Sequence, residues 1–526
     1  MPPTHVAASS DHGAAAGVPE PIAGRPALRG LVRGMGLYSA AALAQRVVGV
    51  LMLPVYTRFL TRADYGVIEL LELVWNVAAM FVSLQLSSAL FYFYHHAEGE
   101  DERRRHVVSA FVGCLLMAGF TLALIPTLAP AVSRAVFKGP NYASLIAVSL
   151  AGLAFSLPAE FGLAYLRLQD RAGEYVVVTL LRLAANVAFN VTFLAVAGMG
   201  AASMPCSSLI STVAIGVYAL WLILPENSLV CFDGATLVKM AGFGLPLGLC
   251  TAGEFILHFG DRFFLSRYVS LGDLGLYGLA YRLGMVVTFA AVPFFSYWHA
   301  QMVGIVKKPG GEAVYSRMAT YYLLGLSLLT LGLVVFVRPA LSILVGPGFE
   351  GADRLVVWVA LAYAVRTMGM FWNSTFILER RTAIAAEVTW YGAIACLLGY
   401  MTLIPRFGIW GALAATHLGL ALMSGLSLWR GQRLRRFDYE YGRWLQIVCC
   451  AVAAGLPAVV WRPSGFVPQL ALGGVCVLTF FALLWVTRFA TAPELRFLSQ
   501  VYWTYCRTAA KPPELAAVSK GDAAAE

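Results

Sequence analysis

Charge is scarce in this chain. Only 13% of the 526 residues are Asp, Glu, Lys or Arg, where about a quarter is usual in a soluble domain. Long polar stretches are also missing, and no connection between apolar blocks is long enough for a folded soluble domain. That excludes a separate catalytic domain and confines any chemistry to a bilayer or its two faces. The nine cysteines stand singly apart from Cys449 and Cys450, and none forms a CxxC or Cys/His spacing. They read as small buried hydrophobes with no metal site. Basic runs interleaved with aromatics are lacking too, so the net charge of +10 does not indicate nucleic acid. Residues 1–33 lack the early apolar region of a secretory signal; rich in Ala, Pro and Gly, with Arg25, Arg29 and Arg33, they read as a disordered cytoplasmic tail.

What is abundant is apolar sequence. Hydrophobic residues make up 59% of the chain and the mean hydropathy is +0.73. They come in blocks of about twenty, the length that crosses about 30 Å of hydrocarbon at about 1.5 Å per residue. Spans are expected near 34–53, 66–92, 107–129, 143–166, 175–197, 201–224, 237–260, 274–299, 319–346, 354–378, 383–404, 408–429, 446–461 and 468–489. The expected class is an all-α integral membrane protein of about fourteen helices. With the N-terminus in the cytoplasm, the inner loops, tails and adjoining span ends hold 24 Lys and Arg, the outer loops and adjoining span ends 10, and four further Arg (Arg46, Arg182, Arg282 and Arg366) lie within spans. This bias predicts that both termini are cytoplasmic. After the last span, Leu495, Leu498, Val501, Tyr502 and Tyr505 predict an interfacial helix in the tail 490–526.

An internal repeat organises the spans. The stretch Thr57–Val67 aligns without gaps on Ser266–Leu276, with Arg58/Arg267, Asp64/Asp273 and Gly66/Gly275 identical. Farther along, Arg171 falls on Arg381, Thr179 on Thr389 and Gly198 on Gly408. Two six-helix lobes, 34–236 and 237–445, are thus expected, followed by a pair of spans at 446–489. Six is an even number, so the lobes share one orientation and should enclose a central cavity, as in transporters built of parallel repeats.

Two segments carry a family resemblance. They are Leu53-Pro-Val-Tyr-Thr-Arg-Phe-Leu-Thr-Arg-Ala-Asp-Tyr-Gly-Val-Ile-Glu-Leu70 and Leu403-Ile-Pro-Arg-Phe-Gly-Ile-Trp-Gly-Ala412. Together with the span layout they resemble the oligosaccharide (Wzx-type) flippases of the multidrug/oligosaccharidyl-lipid/polysaccharide exporter (MOP) superfamily. The resemblance implies a MATE-like fold and no catalytic residues. It further implies translocation of undecaprenyl-diphosphate-linked oligosaccharide to the outer leaflet of a bacterial inner membrane by alternating access. Such proteins serve assembly of surface polysaccharide such as lipopolysaccharide or exopolysaccharide. Polymerase or assembly proteins are then expected partners beside membrane lipids, and Na⁺ or H⁺ is the expected coupling ion. Two other readings stay open. One is a cation-coupled multidrug exporter of the same fold. The other is a membrane glycosyltransferase or ligase, which would need acidic or His catalysts on a sizeable outer loop.

Ionisable residues within spans are costly and mark pathways by default. Arg46, Arg182, Arg282 and Arg366 offer guanidinium groups suited to a diphosphate. Asn373 shares a helical face with Arg366. Asn186 and Asn190 continue a polar stripe from Arg182, with Thr179 on the same side. The stripe faces a cavity, packs on a helix, or snorkels. Among the acids, Glu254 and His258 share a face with Asp261 one turn on, and are the expected ion-coupling pair with Glu72. Glu69 is expected to be wet at the outer end, and Glu160 and Glu387 are further candidates. The competing reading for each acid is that it neutralises a nearby Arg. Gly242, Gly244, Pro246, Gly248 and Gly253 predict a hinge in the seventh span, and Pro293 one in the eighth.

Overall fold

The computed structural model describes residues 44–489 apart from 46, 139, 226, 228 and 347. The tail 1–33, Arg46, most of the expected first span and the predicted interfacial helix in 490–526 lie outside the described residues. Regular structure is entirely helical among those described. Among the described residues, eleven helices are long and apolar enough to cross a membrane, and a bent pair makes a twelfth. The longest, Thr382–Leu434, folds back at Gly408 and supplies one crossing more.

The first lobe holds α1 (Val47–Phe59), α2 (Arg62–Val82), α3 (Leu86–His96), α4 (Glu100–Phe137), α5 (Ala143–Leu168), α6 (Ala172–Val191) and α7 (Ser203–Ile223). The second holds α8 (Gly234–Tyr268), α9 (Leu271–Gly284), α10 (Val286–Val306), α11 (Gly311–Leu344), α12 (Ala352–Leu378) and α13 (Thr382–Leu434). A final pair, α14 (Tyr441–Val460) and α15 (Phe466–Val486), packs on α11, where Gly455 lies against Leu331 and Gly473 against Phe336. The indole of Trp444 donates to Thr320 Oγ1 at 3.0 Å, tying this pair down at one end.

The repeated motif starts two helices with the same side-chain cap. Thr61 caps α2 by accepting from the Asp64 amide at 3.1 Å, while Asp64 accepts from the Thr61 amide at 3.0 Å. Ser270 caps α9 by accepting from the Asp273 amide at 3.1 Å. Each cap satisfies amides that a helix start would leave without partners. Gly66 and Gly275 then let the two helices cross in contact. A Cβ on Gly66 would overlap the Leu271 carbonyl, and one on Gly275 the Arg62 carbonyl. The crossing joins the lobes on the face that carries these turns, termed the turn face here. Two further contacts bridge the lobes there: Lys138 Nζ donates to the Arg267 carbonyl at 2.9 Å, and Arg62 pairs with Glu350 at 3.0 Å.

Other breaks follow local chemistry. Leu84 and Gln85 take left-handed backbone angles between α2 and α3. Gly244 of α8 sits against the Leu84 carbonyl, too close for any Cβ. Helix α8 bends by 48° between Gly248 and Thr251, within the predicted glycine-rich hinge. Its first half lies on α3 and α4, where Phe243 stacks on Tyr92 and Ser109 accepts from the Asp233 amide at 2.9 Å. In α13 the return at Gly408, at φ +55°, packs Gly399 so closely on Ala415 that a Cβ at 399 would lie 2.7 Å from the Ala415 Cβ. Pro405 stands just ahead of this turn, so the two expected spans 383–404 and 408–429 form one tight hairpin.

Candidate translocation cleft and interlobe ion network

On the far side of the α2–α9 crossing, the lobes leave a cleft of about 300 Å³ between α2 and α8. Asn76, Ser83 and Gln85 line it from the first lobe, and Thr251, Glu254 and His258 from the second. Glu254 is half-exposed to it. Behind Glu254 stands Arg366 of α12, largely covered, whose Nη2 donates to the carboxylate at 2.7 Å. Its Nη1 reaches Met370 Sδ at 3.8 Å, and its Nε is buried without a partner. His258 lies one turn beyond Glu254, with Nε2 3.4 Å from the same carboxylate oxygen. Its Nδ1 is 2.6 Å from the Tyr363 hydroxyl, and the two rings stack.

The same face of α8 continues to Arg262, one turn further. Arg262 and Asp261 are both essentially buried. Arg262 donates from Nη1 to Asp261 and to the His258 carbonyl, at 2.9 and 2.8 Å, and from Nε to Glu69 of α2 at 2.9 Å. The Tyr277 hydroxyl donates to the other Asp261 oxygen. The guanidinium lies over the Phe259 and Tyr281 rings at 4.9 and 4.7 Å. Glu69 also accepts from Arg282 of α9 at 3.2 Å, and Arg282 extends to Glu72 at 2.9 Å. A continuous network thus runs from the cleft to the interlobe crossing. It contains four carboxylates (Glu69, Glu72, Glu254, Asp261) and three guanidiniums (Arg262, Arg282, Arg366). With His258 neutral its formal charge is −1; with His258 protonated it is zero.

Several expectations are corrected here. Glu69 is 1% exposed rather than wet, because α9 covers it and two guanidiniums compensate its charge. Arg262, which lies beyond the expected seventh span at 237–260, is a buried helical residue and the hub of the network. The helix runs on to Tyr268, and the ion pairs make its charge tolerable in the interior. The i+4 step from His258 was the one sequence signal that pointed to it. Glu72 and Arg282 are partners of each other.

The polar stripe of α6 packs on helices. Arg182 pairs with Glu160 of α5 at 2.6 Å, Asn186 donates to Ser211 at 3.2 Å, and Asn190 donates to Ser207 at 3.1 Å. Both serines lie on α7, so the asparagines join α6 to α7 and none of the three is among the residues around the cleft. Asn373 accepts from Ser427 at 2.8 Å, which turns it toward α13. Glu387 pairs with Arg430 at 2.5 Å. Among the described residues, no group of three or more His, Cys, Asp or Glu could hold a metal ion.

The layout is that of a multi-pass membrane protein with two lobes around a central cleft, the MOP exporter fold. The chain belongs to the polysaccharide biosynthesis protein family, whose sequence profile matches residues 31–298. The fold is similar to that of the lipid II flippase MurJ in an inward-closed conformation, at TM-score 0.68 and 12% identity over 86% of this chain and 100% of that one. A multidrug resistance MATE family transporter of the MOP superfamily, in its inward-facing conformation, matches at TM-score 0.60 and 16% identity, over 74% of this chain and 94% of that one. The MATE multidrug transporter DinF-BH matches at TM-score 0.53 and 16% identity, over 76% of this chain and 96% of that one. No curated protein sequence matches the chain.

Proposed function

We propose that this protein flips a lipid-diphosphate-linked oligosaccharide across a bacterial inner membrane, from the cytoplasmic to the outer leaflet, for surface polysaccharide assembly. The observation that carries the proposal is Glu254 and His258 on the cleft wall with Arg366 paired behind them, in a chain of the polysaccharide biosynthesis family. A diphosphate entering the cleft could compete with Glu254 for Arg366 by bidentate, charge-assisted hydrogen bonds. Glu254, released, would then hold the coupling ion. H⁺ fits best, because one proton, shared between Glu254 and His258 at 3.4 Å, brings the network to zero formal charge. Na⁺ on Glu254 is the other form of the same proposal. In this orientation the turn face is the outer one, both termini are cytoplasmic, and the present state is closed to the outside. Polymerase or assembly proteins would receive the product at that face.

A half-exposed carboxylate in the cleft also favours a second reading, export of organic cations. The test is a proteoliposome assay of lipid-diphosphate oligosaccharide translocation, with and without H⁺ or Na⁺ gradients. Substrate should become accessible at the far leaflet with the wild type. Arg366→Ala should lower the rate by at least about a hundredfold, as expected when about 3 kcal/mol of charge-assisted bonding is lost. Unimpaired translocation by that variant would remove Arg366 from the pathway. Expulsion of organic cations with no lipid translocation would establish the second reading.

A further inference from the structure

Arginines on the turn face are few, since the sequence assigns ten Lys and Arg to that side and more than twice as many to the other. Three of them nevertheless converge at one point. Arg354, in the first turn of α12, and Arg462, just beyond α14, share with Asp353 and Trp410 the walls of two adjoining cavities of about 330 and 230 Å³. Arg338 of α11 lines the second. Its charge is matched by Asp353 at 2.8 Å. Arg354 and Arg462 are exposed and have no ion-pair partner among the described residues, so the pocket carries two uncompensated positive charges.

The pocket does not end at the membrane surface. Its second cavity shares Val334, Val357, Trp358 and Val459 with an almost wholly apolar trough of about 490 Å³ between α11, α12 and α14. The trough extends along α12 as far as Trp372. That is eighteen residues from Arg354, or about 27 Å at about 1.5 Å per residue. Trp358 and Trp410 flank the mouth, and tryptophan is the residue type enriched at membrane–water interfaces. A soluble anion would use the cationic mouth and leave the trough without purpose. A hydrocarbon chain alone would leave both guanidiniums unmatched. A phosphate head joined to a long chain satisfies both parts, since guanidinium groups bind phosphate oxygens in pairs.

We propose that this pocket and the adjoining end of the trough form a lateral site for an anionic phospholipid, separate from the interlobe cleft. The phosphate lies between Arg354 and Arg462, and an acyl chain runs down between Val334, Trp358 and Leu456. A net-negative head group is selected over a zwitterionic one because nothing in the pocket faces a choline except the paired Asp353. Seated there, the lipid joins the last helix pair to the second lobe. The assignment holds whether or not the translocation reading does.

The test uses the full-length protein, stripped of lipid in detergent and incubated with phosphatidylglycerol or phosphatidylcholine, with bound lipid counted by native mass spectrometry. Phosphatidylglycerol should be retained about fivefold or more over phosphatidylcholine, the scale expected for basic residues facing an anionic head. Arg354→Gln with Arg462→Gln should bring retention down to the phosphatidylcholine level. Lys307→Gln with Lys308→Gln, on the opposite face, should leave it unchanged, and all variants should melt at the wild-type temperature. Equal retention of the two lipids, or undiminished phosphatidylglycerol in the double Arg variant, would overturn the site. Displacement by inorganic phosphate alone would make it a free-anion pocket, and preference for a polyprenyl phosphate would assign it to the carrier lipid. Either result would overturn the phospholipid.

Discussion

Arg262 shows how a single residue holds the two lobes together. Its guanidinium bonds Asp261 on its own helix and Glu69 on α2, and all three are buried. Replacing it by Met removes a cation and leaves two carboxylates in an interior that cannot hydrate them. Breaking one side of a buried ion pair costs about 3–5 kcal/mol, because the abandoned charge remains. Arg262→Met should therefore lower the melting temperature of the purified protein markedly. The triple variant Arg262→Met, Asp261→Asn, Glu69→Gln should recover a good part of the loss, since all three charges go together. A triple variant no more stable than the single one would show that packing over Phe259 and Tyr281, and not charge, is what Arg262 supplies. Residues of this type are hard to read from sequence. A hydropathy profile sees Asp261-Arg262 as the end of an apolar block, while the compensating Glu69 lies almost two hundred positions away. Arg366 stands out in the sequence because it lies deep inside an unbroken apolar block, and Glu254 and His258 because they share one helical face near the end of another; that Arg366 and Glu254 pair with each other is set by the packing of α8 on α12.

At the scale of elements, the repeat is intelligible as two copies of one cap and one crossing point. Thr61-x-x-Asp64 and Ser270-x-x-Asp273 start α2 and α9, and Gly66 and Gly275 let each helix touch the other's first turn. Both features are local enough to be written in a short motif, which explains why the alignment found them. The same cannot be said of the α6 stripe. Arg182, Asn186 and Asn190 were legible as one face, but helical periodicity does not say what a face meets. The answer, Ser207 and Ser211 of α7 with Glu160 of α5, depends on how the helices are arranged. The crossing itself can be tested by Gly275→Val. The first added carbon would overlap the Arg62 carbonyl, and backbone cannot swing aside as a flexible side chain can. The helices must separate, so a cysteine placed at Leu274, fully buried in the present state, should become reactive to a water-soluble maleimide. Protection equal to that in the parent protein would mean that the crossing tolerates the branch and is not a close contact in solution.

For the whole molecule, the distribution of contacts determines what an alternating-access cycle must break. Opening the turn face means parting α2 from α8 and α9, and hence Glu69 from Arg262 and Arg282. Glu69 and Arg262 are buried charges, so the closed state is favoured until each abandoned group finds a substitute. A diphosphate could serve the arginines, and a proton or Na⁺ the carboxylates, so the network offers one place where substrate and ion would act on the same equilibrium. Neutralising Glu69 imitates the ion's part. Glu69→Gln weakens both guanidinium contacts across the crossing without altering side-chain volume. The separation of the lobes on this face can be followed with spin labels at Lys138 and Arg267, which are exposed and adjacent across the interlobe boundary. In the parent protein their distance distribution should be short and narrow. In Glu69→Gln a second, longer population should appear without substrate, and an H⁺ gradient should enlarge it less than in the parent because part of the opening it promotes has already occurred. An unchanged distribution in Glu69→Gln would mean that the glycine crossing, and not the ion network, keeps the turn face shut.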